Sequence, residues 1–333
     1  MNKRRMEKNI YKKDIFGFPK KQGLYNSKNE HDSCGVGFIV NIQNHRSHSI
    51  IDKALSMLCN LEHRGAVGAD PKAGDGSGIL MQIPHEFFHK SIHNFILPSN
   101  GEYGVGVFFI KKNEEVKKEI KELTEKICND EGITALGWRD CPTYSDELGW
   151  SVQSSVPYIL QLFVAKPNSY SDQDIFERKL YVLRQCIDNA VMNLEDKYSE
   201  QFYIASFSSR TILYKGMVLS DQVGTIGNKL GFYDDLSDPD ILSSFAIIHQ
   251  RFSTNTFPTW SLAQPFRMLC HNGEINTLRG NINWMNARHS ILKSKLFGDD
   301  IEKVWPIIKE GQSDSASFDN ALELLVRGGY SVF

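Results

Sequence analysis

The sequence contains no uninterrupted apolar run of about 18 residues, the length that a membrane-spanning helix needs. It also lacks a strong charge of one sign, because its formal net charge is −2. Chains that bind nucleic acid or anionic membranes through their overall charge are strongly basic, so this composition argues against both partners. With 41% hydrophobic and 23% charged residues among 333, it is typical of a soluble globular protein with one large core or two smaller ones.

Cysteines are few and show no tight repeated spacing. The six cysteines stand at positions 34, 59, 128, 141, 186 and 270. Such scattered cysteines in a long chain indicate reduced thiols, and hence a cytoplasmic protein, rather than a disulfide framework. Pairs such as Cys59 with His63 supply two metal ligands and have no matching second pair, so we predict no metal site.

Phosphate-binding glycine loops and internal repeats are also missing from the sequence. Helical periodicity predicts helices at about 49–62, 113–130, 172–194 and 318–326, with Ser49 and Ser171 as caps of the first and third. Strand patterns lie at 34–42, 79–83, 103–110, 157–164, 202–206, 211–214, 245–249 and 267–270. We predict that Ser208–Arg210 turns strands 202–206 and 211–214 into a hairpin. Helices and strands mix without strict βαβ alternation, which predicts a layered α+β domain.

The N-terminal segment differs from the rest of the chain in charge. Residues 1–28 contain nine Lys or Arg and two acids, Glu7 and Asp14, which leaves a net charge of +7. No apolar segment follows, so the pattern is not that of a secretory signal. We expect a solvated, flexible or removable leader.

A single cysteine, Cys34, stands where a polar segment meets the first predicted strand. Free cysteine packs as a small hydrophobe, so a structural role is the simplest interpretation. Alternatively, cleavage of the Ser33–Cys34 bond would give Cys34 a free α-amino group. The unperturbed pKa of such a group is about 7.7–8.0, which suits a base attached to the Cα of the nucleophile itself. Gly35 would leave space beside the thiol for attack.

Two further polar clusters each follow a predicted strand. In the first, residues 249–260, Arg251 offers a planar fork suited to a carboxylate. In the second, residues 270–277, the Asn272 amide and the Gly273 N–H could form an oxyanion hole. Each cluster also has a simpler interpretation, namely a surface ion-pairing arginine and a hairpin turn.

Taken together and in this order, the clusters resemble the class II glutamine amidotransferases, which are N-terminal-nucleophile enzymes. The matching motifs are Cys-Gly at 34–35, Leu-Glu-His-Arg-Gly at 61–65, His-Gln-Arg-Phe-Ser-Thr at 249–254, His-Asn-Gly-Glu-Ile at 271–275 and Ser-Asp-Ser at 313–315. Two longer segments, 62–88 and 249–288, resemble the amidotransferase domain of glutamate synthase large subunits. The resemblance runs from about Gly23 to the end of the chain.

The resemblance implies a four-layer α/β/β/α sandwich with the active site at the strand ends between two sheets. Residues 1–33 would be a propeptide whose removal exposes Cys34, and residues 34–333 would form the amidotransferase domain. The Cys34 thiolate would attack the carboxamide of L-glutamine, release ammonia and leave a γ-glutamyl thioester that water hydrolyses to glutamate. Asn272 and Gly273 match the oxyanion hole of the family.

The resemblance also implies a pocket for the amino-acid end of the substrate. Arg251 stands at the position of the motif arginine that binds the α-carboxylate, and Thr254 lies in the same pocket. Asp314 matches the acid that holds the α-ammonium group. Arg64 matches a motif arginine near the active site, for which we expect only a role in ordering the site.

In that family the domain heads a much longer chain, in which ammonia travels to a flavin domain that converts 2-oxoglutarate to glutamate. The resemblance implies FMN and an iron–sulfur cluster there, electrons from an NAD(P)H-oxidising small subunit or from ferredoxin, and no cofactor in the present segment. The sequence ends at Phe333, soon after the helix at 318–326, so we expect a C-terminally incomplete domain that needs the rest of the synthase in cis or as a separate chain. Two alternatives stay open: a stand-alone N-terminal-nucleophile amidohydrolase, and a non-catalytic truncated module.

Overall fold

The structure is a computed structural model that describes residues 21–26, 35–65, 69–199, 202–251 and 257–331. The chain divides into two compact units, residues 1–33 and 34–333. In the first unit the described residues form a tight turn, in which Gln22 and Tyr25 exchange two backbone hydrogen bonds. The elements below all belong to the second unit.

The described part of the second unit contains eight strands, eight α-helices and four short 3₁₀ helices. The strands are β1 (Val36–Val40), β2 (Ser77–Gln82), β3 (Tyr103–Ile110), β4 (Ala135–Asp140), β5 (Tyr158–Ala165), β6 (Tyr203–Ser208), β7 (Thr211–Gly216) and β8 (Phe245–Gln250). The helices are α1 (His48–Asn60), α2 (His85–Ser91), α3 (Glu114–Asp130), α4 (Trp150–Gln153), α5 (Gln173–Met192), α6 (Asp196–Ser199), α7 (Leu278–Ala287) and α8 (Asp314–Arg327). The predicted α+β class is confirmed.

The strands form two four-stranded antiparallel sheets. Sheet 1 has the order β1-β8-β2-β7, and its register places Lys215, Gly78, His249 and Val36 in one row across the four strands. The first residues of β1 and β2 therefore lie at the same end of sheet 1 as the last residues of β7 and β8. We call this the Gly35 edge, because Gly35 directly precedes β1.

Sheet 2 has the order β4-β5-β3-β6 and carries α3 and α5 on one face. Apart from the short helices α4 and α6, its chain order is β3-α3-β4-β5-α5-β6, which is a split βαβ arrangement. Helix α3 begins where the Asn113 side chain accepts a hydrogen bond from the Val116 N–H, at 3.1 Å. In the sequence, sheet 2 and its helices are inserted between β2 and β7, which are neighbours in sheet 1.

One hydrophobic core joins the other face of sheet 2 to sheet 1 and α1. Ile79 of β2, Val105 and Phe109 of β3, and Leu55 and Leu58 of α1 are all buried in it. Residues that alternate with these along β3, such as Phe108, are buried under α3 and α5 instead, because successive strand residues face opposite sides. These helix and sheet layers are consistent with the sandwich that the resemblance implies.

The predicted hairpin between the strands at 202–206 and 211–214 is wrong, because β6 belongs to sheet 2 and β7 to sheet 1. The intervening turn is held by the carboxylate of Glu177, which is buried in α5. This carboxylate accepts hydrogen bonds from the hydroxyl of Ser208 and from the N–H and hydroxyl of Ser209. A long-range partner thus directs the chain from one sheet to the other.

The predicted strand at 267–270 is also wrong, since this segment pairs with side chains of α8 rather than with a strand. The Arg267 guanidinium contacts Glu323 at 2.8 Å and Asp319 at 3.0 Å, and the Met268 N–H donates to the Asp319 carboxylate at 2.7 Å. Strand β4 was not predicted. Two caps also differ: α1 begins after Ser47 and α5 after Asp172.

Candidate active site

Gly35 is the first described residue of the second unit and lies at the end of β8. Its carbonyl accepts a hydrogen bond of 2.6 Å from the Gln250 N–H. A Cβ on Gly35 would collide with the Gln250 carbonyl oxygen and would lie 3.4 Å from Oδ1 of Asn272. Only glycine fits here, and the residue that follows Cys34 is therefore held beside Asn272. Cys34 and Thr254 themselves lie outside the described residues.

Arg251 follows β8 at the same edge and is 6% exposed. Its N–H donates to the Gly76 carbonyl at 2.8 Å, and its Nη1 donates to the Asp75 carbonyl at 3.4 Å. Burial lowers the pKa of Arg251, and the nearby carboxylates of Asp75 and Asp314 act in the opposite direction. A surface ion-pairing role does not fit this burial. Arginine keeps its charge under such shifts, so a buried cation lies at this edge, and the charge of Asp314 acts on it.

Asp314 is the first residue of α8, directly after the cap Ser313. Its Oδ2 accepts the Ile275 N–H at 2.6 Å, and its Oδ1 accepts the Ser315 N–H at 2.7 Å. The N-terminal end of a helix favours a carboxylate, because the first N–H groups of the helix point toward it. Asp314 thereby connects α8 to the loop that carries Asn272 and lies near Arg251.

Asn272 and Gly273 are exposed and belong to a loop that is neither helix nor strand. The hairpin-turn interpretation is therefore wrong. The Gly273 N–H, one of the two expected oxyanion donors, donates to Nδ1 of His271 at 3.0 Å. In this conformation the His271 imidazole accepts the Gly273 N–H, which is the hydrogen bond that an oxyanion would need.

The sequence model of the class-II glutamine amidotransferases matches residues 34–333. The chain belongs to this family. The match begins at Cys34, the same residue at which the second compact unit begins.

Several curated relatives are glutamate synthases. The chain is 45% identical over 311 residues to the glutamate synthase (NADPH) large chain of Bacillus subtilis, which covers 93% of this chain and 20% of that protein. It is 42% identical over 305 residues to ferredoxin-dependent glutamate synthase 2 of Synechocystis, covering 91% and 19%. It is 41% identical over 335 residues to glutamate synthase (NADH) of Saccharomyces cerevisiae, covering 97% and 15%. The chain thus spans a fifth or less of the length of these relatives.

The amidotransferase motif at 61–65 also lies at the Gly35 edge. Gly65 follows the short helix Glu62–Arg64, and a Cβ on Gly65 would come within 3.0 Å of Cδ of Gln250. Arg64 is half-buried, and its Nε is buried without a hydrogen-bond partner among the described residues. The structure thus places Gly65, the residue after Arg64, next to the end of β8.

His249 also lies at the Gly35 edge, and the sequence placed it in the motif at 249–254 without giving it a role. It is 1% exposed, and its Nε2 lies 3.1 Å from the His271 carbonyl oxygen. Burial lowers the pKa of His249 to about 4, while the His271 carbonyl and the Asn272 side chain act in the opposite direction. The available signal was a polar residue at a buried position of an otherwise apolar strand.

Lys215, at the far side of sheet 1 from β1, holds the segment that follows residues 252–256. Its Nζ donates to the carbonyls of Ala263 at 2.7 Å and Ser261 at 3.0 Å, between the rings of Tyr203 and Phe266. Lys215 is fully buried, and this burial lowers its pKa well below the usual range of lysine. No carboxylate hydrogen-bonds to its Nζ among the described residues.

Within the described ranges, no group of three or more His, Cys, Asp or Glu side chains is arranged to hold a metal ion. None of the described helices is both long enough and apolar enough to cross a bilayer.

Proposed function

We propose that residues 34–333 hydrolyse L-glutamine to L-glutamate and ammonia, with Cys34 as the nucleophile. The observation that carries this proposal is the convergence at the Gly35 edge of one buried cation, one carboxylate and one amide. Asn272 lies beside Gly35, Asp314 binds the same loop at Ile275, and Arg251 follows the β8 residue that binds the Gly35 carbonyl. Membership of the amidotransferase family supports the same reaction.

The chemistry follows from a free N-terminus at Cys34. Removal of residues 1–33 leaves an α-amino group that takes the thiol proton, and the thiolate attacks the carboxamide carbon. The Asn272 amide and the Gly273 N–H stabilise the oxyanion. The α-ammonium group returns its proton to the leaving nitrogen, ammonia departs, and water hydrolyses the γ-glutamyl thioester to glutamate and free thiol.

The substrate is recognised at its amino-acid end. Arg251 binds the α-carboxylate and Asp314 binds the α-ammonium group, with Thr254 in the same pocket and Arg64 ordering the site. A carboxylate offers about four lone-pair sites, so Asp314 retains acceptor capacity beyond its bonds to Ile275 and Ser315. Each charge-assisted bond contributes about 1.5–3 kcal/mol, which favours an amino acid over a simple amide.

In a longer synthase we assign this domain the ammonia-forming half of the reaction. The ammonia would serve conversion of 2-oxoglutarate to glutamate by a flavin domain, in the same polypeptide or a separate chain, with FMN and an iron–sulfur cluster. The names of these relatives, which include NADPH, NADH and ferredoxin, support electron donors of these kinds. We place the protein in the cytoplasm.

Intact mass and glutaminase activity of the purified chain test the proposal together. We expect a mass that matches residues 34–333 and release of glutamate from glutamine, which Cys34→Ala abolishes. Cys59→Ala, at a half-buried cysteine of α1, is the matched control and should leave the activity unchanged. A folded chain of full-length mass without activity would instead support a non-catalytic module. Hydrolysis of other amides in preference to glutamine would support a stand-alone amidohydrolase.

A further inference from the structure

The oxyanion loop, residues 271–275, has no regular secondary structure to hold it in place. Side chains bind it at two points. At one point the His271 N–H donates to Oε1 of Gln264 at 3.2 Å, and the His271 carbonyl lies 3.1 Å from Nε2 of His249. At the other, the Ile275 N–H donates to Asp314. Asn272 and Gly273 lie between these two points.

His249 differs from the other anchors because it belongs to sheet 1 itself. It lies in the row that pairs Val36 with His249 and His249 with Gly78, next to the start of β1. Gly78 has no side chain to compete for space on that face. β8 lies between β1 and β2 in sheet 1 and is held on both sides. A hydrogen bond from His249 therefore fixes the loop relative to β1.

The protonation state of His249 suits a fixed hydrogen bond. A carbonyl oxygen can only accept, so Nε2 must carry a proton. Burial keeps the ring neutral near pH 7, because it lowers the pKa to about 4. The imidazole therefore holds one tautomer, with its donor aimed at His271. The Asn272 side chain also acts on this ring, and its Oδ1 lies 3.4 Å from where a Gly35 Cβ would be.

We propose that His249 is a positioning residue that fixes the Asn272–Gly273 oxyanion hole relative to the start of β1 through the His271 carbonyl. This inference rests on the proposed glutaminase function. His249 does not bind the amino-acid end of the substrate, which Arg251 and Asp314 hold. Loss of its bond therefore acts on the transition state, where the oxyanion forms, and much less on substrate binding.

The test compares His249→Leu, which removes the donor, with His249→Gln, which keeps an N–H donor near the Nε2 position. We expect His249→Leu to lower kcat about tenfold to hundredfold, because small misplacements of catalytic groups are costly. The KM for glutamine should change less than about twofold, and His249→Gln should recover most of kcat. If His249→Leu does not fold, His249→Asn, which is polar but too short to reach the carbonyl, replaces it.

Two inhibitors separate positioning from a general loss of structure. The Cys34 thiolate adds to the aldehyde carbon of L-glutamate γ-semialdehyde. The oxygen of the resulting thiohemiacetal is stabilised by the oxyanion hole. The Ki of the semialdehyde should rise in His249→Leu by about the same factor as kcat falls. The Ki of L-glutamate, which depends on Arg251 and Asp314, should stay unchanged. A parallel rise in both Ki values would indicate general disruption and overturn the inference.

A diazoketone analogue of glutamine, 6-diazo-5-oxo-L-norleucine, distinguishes failure of the inference from failure of the function. Wild-type chain that neither reacts covalently with it nor hydrolyses glutamine would overturn the proposed function, and this inference with it. Wild-type chain that does both, together with a folded His249→Leu of equal kcat, would overturn the inference alone. Equal losses of kcat in His249→Leu and His249→Gln would also contradict it.

Discussion

The carboxylate of Asp314 accepts the backbone N–H of Ile275 at 2.6 Å, so one side chain joins the start of α8 to the oxyanion loop. The same carboxylate lies close enough to Arg251 to act on the pKa of its guanidinium. Asp314 thus has a structural partner and a proposed substrate partner at once. Substitutions at this position should affect binding of the substrate and the order of the loop together.

Asp314→Asn keeps the shape of the side chain and removes its charge. We expect the KM for glutamine to rise about ten- to hundredfold, since a charge-assisted bond of about 1.5–3 kcal/mol to the α-ammonium group is lost. Steady-state kinetics measure this change. Asp174→Asn, which removes an exposed acid from the first turn of α5, is the matched control and should leave KM unaltered. Equal KM values for wild type and Asp314→Asn would exclude Asp314 from substrate binding.

His271→Ala removes the imidazole that accepts the Gly273 N–H. The backbone carbonyl that His249 holds is retained, so the loop should keep its position. We expect kcat/KM to stay at or up to about threefold above the wild-type value, because an acceptor that competes with the oxyanion has gone. Glutaminase assays decide this, with exposed His45→Ala as the control. A collapse of kcat would show that the imidazole takes part in the chemistry.

Lys215→Met should change stability in a pH-dependent way. Burial depresses the folded-state pKa of Lys215 below 10.5, so between the two values the unfolded chain binds more protons than the folded one. The wild-type free energy of unfolding therefore rises with pH across that window. The stability of Lys215→Met relative to wild type should fall as the pH increases toward 10.5, which urea titrations at several pH values will measure. A difference that is constant with pH would contradict the lowered pKa of Lys215.

Asp235→Asn should destabilise the junction between sheet 2 and sheet 1. Arg139 of β4 contacts Asp235 with two hydrogen bonds of 2.7 and 2.8 Å, and Tyr214 of β7 donates to the same carboxylate. Breaking a buried pair leaves an uncompensated charge, so we expect a loss of about 3–5 kcal/mol in unfolding free energy. Thermal or urea unfolding measures it.

The control for that pair is the exposed ion pair of Lys72 and Glu147 at 3.1 Å. Glu147→Gln should cost about 0–1 kcal/mol, because surface pairs are screened by water. Similar losses in Glu147→Gln and Asp235→Asn would mean that burial does not set the strength of the Arg139 pair. A double variant, Arg139→Met with Asp235→Asn, should recover part of the loss because no unpaired charge remains.

Local patterns in the sequence were enough to locate most elements. Strand β3 was predicted with its observed bounds, Tyr103–Ile110, and the helix predicted at 113–130 is α3. Arg251 was predicted to follow a strand, and it follows β8. These features depend on periodicity and capping within about ten to twenty neighbouring residues, which is the range over which helix and strand patterns act.

Pairing between distant segments was decided only by the tertiary structure. The turn at Ser208–Arg210 has the composition of a hairpin, yet the buried Glu177 directs its two strands into different sheets. Arg267 looked like part of a strand and is instead bound by acids of α8. The role inferred for His249 could not be predicted either, because the His271 carbonyl lies 22 positions away in the sequence. The sequence alone determined which chemical groups the chain offers and where most local elements lie. The tertiary structure decided which of them meet, because buried polar groups must find partners wherever the fold places them.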